Sequence, residues 1–187
     1  MRRSQATRQR LQTVAIDLFT EKGFDHVTVE EIAAAAGVSH MTFYRNFPTK
    51  EAVVLDDPYD PVVAAAVTEQ DRELPALERV RRGVLDAFGR LQEPEDRTVR
   101  QKIRLASGHP GLRARVWENN LRTEEVVVEA LTATGIPRLE AAVAAGAVLG
   151  ALTAALFDWA GDEVEGPLGE RIELALGLLV SSEVTGW

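Results

Sequence analysis

The 187-residue sequence contains no cysteine. Disulfide bonds, thiolate metal sites and a cysteine nucleophile are therefore excluded, and the composition fits a cytoplasmic protein. The sequence also lacks a Gly-x-Ser-x-Gly elbow, a phosphate-binding glycine loop and a His-Glu-x-x-His pair, so no motif favours an enzyme. Its three histidines are scattered and form no metal-binding pattern. We expect no metal, no other cofactor and no catalytic residue.

Strand patterns and long apolar runs are scarce as well. No segment of useful length alternates apolar and polar residues as a half-buried strand does. Residues 141–157 carry no charge, but this stretch is short for a membrane span and consists mostly of alanine and glycine. We predict a buried, tightly packed helix there and no contact with a membrane.

Apolar residues at helical spacing fill most of the chain, and glycines and prolines interrupt the pattern. The sequence predicts helices over about residues 5–22, 28–36, 40–46, 49–56, 61–72, 75–91, 95–107, 110–134, 138–160 and 168–184. Pro58 and Pro61 disfavour helix at the residues before them. We therefore predict an all-α protein with a domain boundary at this break, between residues 1–56 and 57–187.

A helix-turn-helix pattern lies in the first domain. Thr28 is a favoured N-cap residue, and Glu31 stands three positions later, so the pair can form a capping box. Gly37 can supply the left-handed backbone that ends this helix. Ser39 can then cap a second helix, His40–Asn46. Two helices joined by a glycine-containing turn are typical of DNA-binding proteins, in which the second helix enters the major groove.

The net charge of −8 is unusual for a protein that binds DNA, but the charge is unevenly distributed. Residues 1–50 contain seven lysines and arginines against five aspartates and glutamates, so the acidic excess lies in the second domain. Binding to phosphate depends on the local face rather than on the total charge. Arg2, Arg3 and Arg8 are expected to form a basic arm that reaches the DNA backbone or minor groove.

The first domain resembles the N-terminal domain of TetR-family bacterial regulators over about residues 5–55. The residues that carry the resemblance are Leu11, Ala15, Phe19, Gly23, Phe24, Thr28, Val29, Ile32, Ala33, Ala36-Gly37-Val38-Ser39, Thr42-Phe43-Tyr44, Phe47, Lys50 and Glu51. The resemblance implies an all-α homodimer with a three-helix DNA-binding head at residues 1–56. Residues 57–187 would form a larger helical body for effector binding and dimerisation.

The resemblance also implies roles for individual residues of the head. Thr28 would contact phosphate, and Lys50 would contact phosphate at the start of the fourth helix, where the helix dipole also favours an anion. Arg45 could face either DNA or solvent. The residues expected to approach bases and backbone are Ser39, His40, Met41, Thr42 and Tyr44.

The second domain resembles known regulators more loosely. Residues 56–67 and the alanine-rich helix ending in Phe157-Asp158-Trp159 are similar to a subgroup that includes mycofactocin-type regulators. This similarity implies a long apolar effector such as an acyl-CoA. Trp117, Trp159 and Phe88 could line an effector cavity, fill the core or form a dimer contact. Arg104 and Asn120 are candidate polar anchors.

Small residues recur every four positions in the helix predicted at residues 138–160. They are Ala142, Gly146, Gly150 and Ala154, and this spacing places them on one face, where another helix can approach closely. The partner could be a helix of the same chain or of a second copy. We favour a dimer seam shared with residues 168–184, because an operator with two half-sites needs two heads.

These observations predict a ligand-responsive transcription factor. We expect a homodimeric repressor that binds a palindromic operator in double-stranded DNA and is released by a small apolar effector. The alternative is a helical adaptor that binds protein and has no DNA activity.

Overall fold

The computed structural model describes residues 2–55, 60–90, 96–161 and 166–180. Over these ranges the chain is helical and contains no strand, which confirms the predicted all-α class. Its α-helices are α1 (Arg2–Lys22), α2 (Val29–Ala35), α3 (His40–Asn46), α4 (Lys50–Leu55), α5 (Asp60–Glu69), α6 (Ala76–Gly89), α7 (Asp96–Gly108), α8 (Pro110–Thr132), α9 (Arg138–Trp159) and α10 (Leu168–Leu178). A single-turn 3-10 helix, Phe24–His26, lies between α1 and α2. The break predicted at Pro58 and residues 181–184 of the last predicted helix lie outside the described residues.

The chain divides into two compact units. The first unit contains Met1–Asp56 and Pro94–Val116, and the second contains Asp57–Glu93 and Trp117–Trp187. The first unit therefore includes α7 and the start of α8 in addition to the predicted domain 1–56. The reason is hydrophobic: Ala106 and Leu112 are buried in the same core as α1 to α4.

Aromatic residues from three elements fill the core of the first unit. Phe19 of α1 packs against Phe24 at a ring separation of 4.8 Å, and Phe43 packs against Phe47 at 6.0 Å. All four rings are buried, and full burial of such a side chain stabilises a fold by roughly 1.5–3 kcal/mol. The inward-facing side of α3 is thereby fixed, which leaves its other face to solvent.

The apolar helix α9 lies at the centre of the second unit. It is long and apolar enough to cross a membrane by length and composition. It nevertheless packs against α6 and α10, and its buried residues include Ala141, Ala145, Val148 and Leu152. This position agrees with the prediction of a buried, tightly packed helix.

The helices α5 and α6 approach each other closely at Gly83. A Cβ added to Gly83 would lie 2.5 Å from Val67 Cγ2 and 2.6 Å from Val67 Cα. Contacts below 3 Å are strongly repulsive, so the crossing requires a residue without a side chain at position 83.

A cluster of charged residues holds the first turns of α6. The Glu78 carboxylate accepts hydrogen bonds from Arg81 Nε at 2.7 Å and from Arg82 Nε at 2.6 Å. The hydrogen bond from Arg81 is the main reason why the pKa of Glu78 falls to about 2. The carboxylate is therefore charged in the folded protein at pH values where an unfolded chain would protonate it.

We expect Glu78→Gln to lower the free energy of unfolding by about 1 kcal/mol at pH 7, after solvent screening is allowed for. Because the folded pKa lies below the ordinary value of 4.5, this stability is present above pH 4.5 and is lost as the pH falls towards 2. Urea denaturation at pH 7 and pH 3 measures the difference. Glu73→Gln, at an exposed carboxylate, is the control. A difference that does not shrink at pH 3 would contradict this assignment.

Candidate nucleic-acid interface

The helix α2 begins at the predicted capping box. Glu31 N–H donates to Thr28 Oγ1 at 3.2 Å, and Thr28 N–H donates to Glu31 Oε2 at 2.9 Å. The bond from the Thr28 backbone, followed by interactions with Lys22, lowers the pKa of the Glu31 carboxyl. Thr28 is exposed at this helix start. Its N–H and its side-chain oxygen both take part in the cap, and the predicted contact of Thr28 with phosphate stays a prediction.

The turn between α2 and α3 has the predicted chemistry. Gly37 adopts φ 63°, the left-handed region that glycine enters without steric cost. The N–H groups of Gly37 and Val38 donate to Ala34 O at 3.0 Å and Ala33 O at 2.9 Å, which closes the end of α2. Ser39 Oγ then accepts from Thr42 N–H at 3.2 Å and starts α3. The turn thus fixes where α3 begins and which face it exposes.

The outer face of α3 exposes an apolar and aromatic surface. Met41 is 64% exposed and Tyr44 is 43% exposed, although both are large and hydrophobic. The His40 ring packs edge-on against Tyr44 at 4.8 Å, and His40 Nε2 lies 3.6 Å from Glu30 Oε1. Arg45 is exposed on the last turn. The structure thus brings the predicted residues of positions 39–45 together on one short helix.

Lys50 occupies a position that the sequence did not reveal. Its ammonium donates to Phe24 O at 2.8 Å and to Val27 O at 3.0 Å, and it lies 4.3 Å from the centre of the Phe24 ring. Two of its three N–H groups therefore tie α4 to the segment before α2. The predicted contact of Lys50 with phosphate stays a prediction, and the third N–H is the group left to make it.

Arg8 contacts the C-terminal end of α3. Its guanidinium donates to Asn46 O at the end of α3 and stacks 4.2 Å from the centre of the Phe47 ring. The side chains of Arg2 and Arg3 lie outside the described residues. The predicted basic arm therefore includes one arginine that is fixed against α3.

A contact between distant segments lies beside Lys50. His109 Nδ1 accepts from Leu112 N–H at 3.2 Å, so Nε2 is the ring nitrogen left to donate to Asp25 Oδ1 at 3.1 Å. The His109 ring also packs 4.9 Å from Phe24. Residues 25 and 109 are 84 positions apart, and no local pattern in the sequence marks such a pair.

The predicted effector residues fall in different places. Trp117 and Asn120 of α8 line a groove of about 200 Å³ in the second unit, together with residues of α9. Trp159 is fully buried and donates from Nε1 to Gly166 O at 2.9 Å, so it belongs to the core. Phe88 packs half-buried against the main hydrophobic cluster of the second unit, and Arg104 belongs to the first unit. Only Trp117 and Asn120 are brought together.

Exposed apolar side chains of α9 and α10 form what we call the exposed face of α9 and α10. Leu139 and Val143 of α9 are 78% and 63% exposed, and Leu174 and Leu178 of α10 are 55% and 68% exposed. The helices pack against each other. Large exposed apolar residues in such a group are typical of a protein-protein contact.

The predicted small-residue face of α9 is divided between different environments. Gly146 lies beneath the carboxylate of Glu124 of α8, which a Cβ on Gly146 would meet at 3.6 Å. Ala142 and Gly150 are half-buried, whereas Ala154 is exposed. At Gly146, this face of α9 therefore contacts α8 of the same chain.

Comparisons with protein-family models match both parts of the chain, the helix-turn-helix domain and the larger helical body. The family model described as bacterial regulatory proteins, tetR family, matches residues 12–56, and the model of the MftR C-terminal domain matches residues 74–183, more than half of the chain. The chain belongs to the TetR family. This membership confirms the resemblance predicted from the sequence, and a family of regulatory proteins agrees with the expectation that the chain is not an enzyme.

Individual TetR-family relatives are similar over part of their length. TcmR of Streptomyces glaucescens, a helix-turn-helix transcriptional regulator, is 33% identical over 67% of this chain and 57% of its own length. MftR of Mycobacterium tuberculosis, named as a regulator of mycofactocin biosynthesis, is 30% identical over 60% of this chain and 58% of its own. The chain thus spans little more than half the length of these relatives.

A solved structure shows the same fold over nearly the whole chain. The TetR-family repressor FadR of Thermus thermophilus, in complex with lauroyl-CoA, aligns over 96% of both chains with a TM-score of 0.52 and 24% identity.

Proposed function

We propose that this TetR-family protein is a cytoplasmic transcriptional repressor. It binds a palindromic operator as a homodimer and is released by a small apolar effector. The observation that carries the proposal is the outer face of α3, where Met41 and Tyr44 are exposed while Phe43 and Phe47 anchor the other face. An exposed apolar side chain on a surface helix is well suited to contact a thymine methyl group.

Hydrogen-bonding groups around α3 support a role in DNA binding. The Ser39 and Thr42 hydroxyls lie 2.9 Å apart and share one hydrogen bond, so one of these two hydroxyls, together with the phenol of Tyr44, can donate to phosphate or to base edges. Arg45 adds an exposed cation to the same helix. Thr28 at the start of α2 and His40 at the start of α3 complete the proposed surface. Because α3 has only seven residues, its N-terminal half is expected to make most of the base contacts.

The exposed face of α9 and α10 supports the proposed homodimer. A closed dimer with two-fold symmetry uses the same patch on both copies, so one apolar face is sufficient. Two heads related by this symmetry would read two half-sites about one helical turn of DNA apart. The palindromic operator follows from the dimer rather than from α3 alone.

The groove beside Trp117 and Asn120 is the proposed effector site. FadR, which shares the fold, binds lauroyl-CoA, and an acyl-CoA is therefore one effector class to test. The effector can weaken DNA binding only if its affinity differs between the DNA-binding state and the released state. α8 contributes residues to both compact units, so a helix that lines the groove also belongs to the unit that contains α3.

The decisive test is Tyr44→Ala. We expect this change to weaken operator binding by about 10- to 100-fold. The reason is that a good contact between the outer face of α3 and a base contributes roughly 1–3 kcal/mol to the free energy of binding. Tyr44 is exposed, so the thermal stability should change little. A gel shift on DNA from beside the protein's own gene, at several salt concentrations, measures the affinity.

Thr13→Ala, at an exposed position of α1, is the matched control and should bind as the wild type does. If Tyr44→Ala binds as tightly as Thr13→Ala, α3 does not read the DNA. If the wild type gives no shift at low salt on any fragment, the protein-binding adaptor becomes the better account.

A further inference from the structure

The groove between α8 and α9 combines an aromatic ring, apolar walls and a carboxylate. Trp117 is 48% exposed and Leu121 is 65% exposed. Leu149 of α9 forms the opposite wall, and Glu124 is the charged residue among those that line the groove. Asn120 is held at its edge by a hydrogen bond from Nδ2 to Thr153 Oγ1 of 2.7 Å.

Glu124 and Glu125 are adjacent in the chain but differ in their hydrogen-bond and ion-pair partners. Glu125 is paired with Arg138, whose guanidinium donates to Glu125 Oε1 at 2.7 Å. Within the described part of the chain, the Glu124 carboxylate has no ion pair or hydrogen bond. It is half-buried and rests over Gly146. A half-buried carboxylate beside apolar walls attracts a cation more strongly than an exposed one does, because water screens it less.

We infer that the groove binds a small lipophilic cation, such as a quaternary ammonium compound. The positive head would lie between the Glu124 carboxylate and the Trp117 ring, whose face attracts cations. The apolar part would lie against Leu121 and Leu149. This inference rests on the proposed function, because it names the chemical class of the effector. It also disfavours an acyl-CoA in this groove, because the phosphates of the coenzyme would meet Glu124.

A substitution at Gly150 offers an independent way to fill the groove. It lines the groove, and a Cβ added there would meet no atom within 4 Å. A Cβ at position 150 therefore meets open space, and we expect a larger side chain to extend from it into the groove. A leucine there would remove the space without changing any charge.

Calorimetric titration of the full-length protein, without DNA, tests the inference. The probes are benzyltrimethylammonium and its uncharged isostere neopentylbenzene. We expect the wild type to bind the cation at least about tenfold more tightly than the isostere. Glu124→Gln should reduce this preference, because only the Trp117 ring then attracts the cation, whereas Glu118→Gln, at an exposed carboxylate on the same helix, should retain it in full. Gly150→Leu should prevent binding of both probes.

Three results would overturn the inference. They are equal affinities for the cation and the isostere, no binding of the cation, or binding of lauroyl-CoA that Gly150→Leu abolishes. A gel shift without ligand, carried out on the same preparations, tests the proposed function separately. DNA binding with no cation binding would reject only the effector class.

Discussion

Gly83→Ala is expected to destabilise the second unit by about 2 kcal/mol. The new Cβ would lie 2.6 Å from Val67 Cα and 2.7 Å from Val67 N, and these backbone atoms cannot rotate away. The helices α5 and α6 would have to separate, which disturbs the core that α9 shares with them. Alanine favours a helix over glycine by about 1 kcal/mol, but the steric cost exceeds this gain.

Gly89→Ala is the matched control for Gly83→Ala. Gly89 ends the same helix, and a Cβ there meets no atom within 4 Å. We expect this variant to be as stable as the wild type or slightly more stable. Urea denaturation followed by circular dichroism measures both variants. Equal midpoints for the two would show that α5 and α6 do not cross as closely as described.

Val143→Glu is expected to convert the proposed dimer into a monomer and to weaken operator binding by at least about 100-fold. The change places a charge in the exposed apolar face of α9 and α10, and burying an unpaired carboxylate in an interface costs several kcal/mol. A monomer carries one reading head, so it loses the contribution of the second half-site. Light scattering after size-exclusion chromatography and a gel shift measure the two effects.

Val126→Glu makes the same chemical change elsewhere in the second unit. Val126 lies on α8 and is 51% exposed. We expect this variant to remain dimeric and to bind the operator. If Val143→Glu also remains dimeric at micromolar concentration, the face of α9 and α10 is not the dimer contact.

The features predicted most fully from the sequence are local ones. The capping box of Thr28 and Glu31, the left-handed Gly37 and the Ser39 cap each depend on residues within a few positions of each other. Short-range hydrogen bonds and backbone preferences decide such features, and both can be read from residue types. The burial of Phe43 in α3 and of Phe47 at its C-cap follows from helical periodicity in the same way.

Long-range contacts could not be predicted in this way. The family resemblance implies a phosphate contact for Lys50, and no pattern in the sequence indicates that Lys50 also donates to two backbone carbonyls, those of Phe24 and Val27. The contact of His109 with Asp25 and the burial of Leu112 in the first unit depend on tertiary structure as well. Periodicity shows that a face is buried, but it does not show which helix covers it.

The effector residues were the least predictable part. Aromatic residues in a helical body can line a cavity or fill a core, and their spacing is the same in both cases. The structure separates Trp117, which lines the groove, from Trp159, which is buried and bonded to Gly166 O. Glu124 was not predicted, because a carboxylate on a charged helix carries no signal of a groove, and Gly150 was predicted for a helix contact rather than for a groove.

The central claim is that two copies of α3 read a symmetric DNA site. Selection of binding sites from a random duplex library, with the purified full-length protein, tests this claim most directly. We predict enrichment of an inverted repeat whose half-sites lie about one helical turn apart, and loss of that enrichment with Tyr44→Ala. Recovery of no common sequence, or of the same sequence with Tyr44→Ala, would contradict the claim.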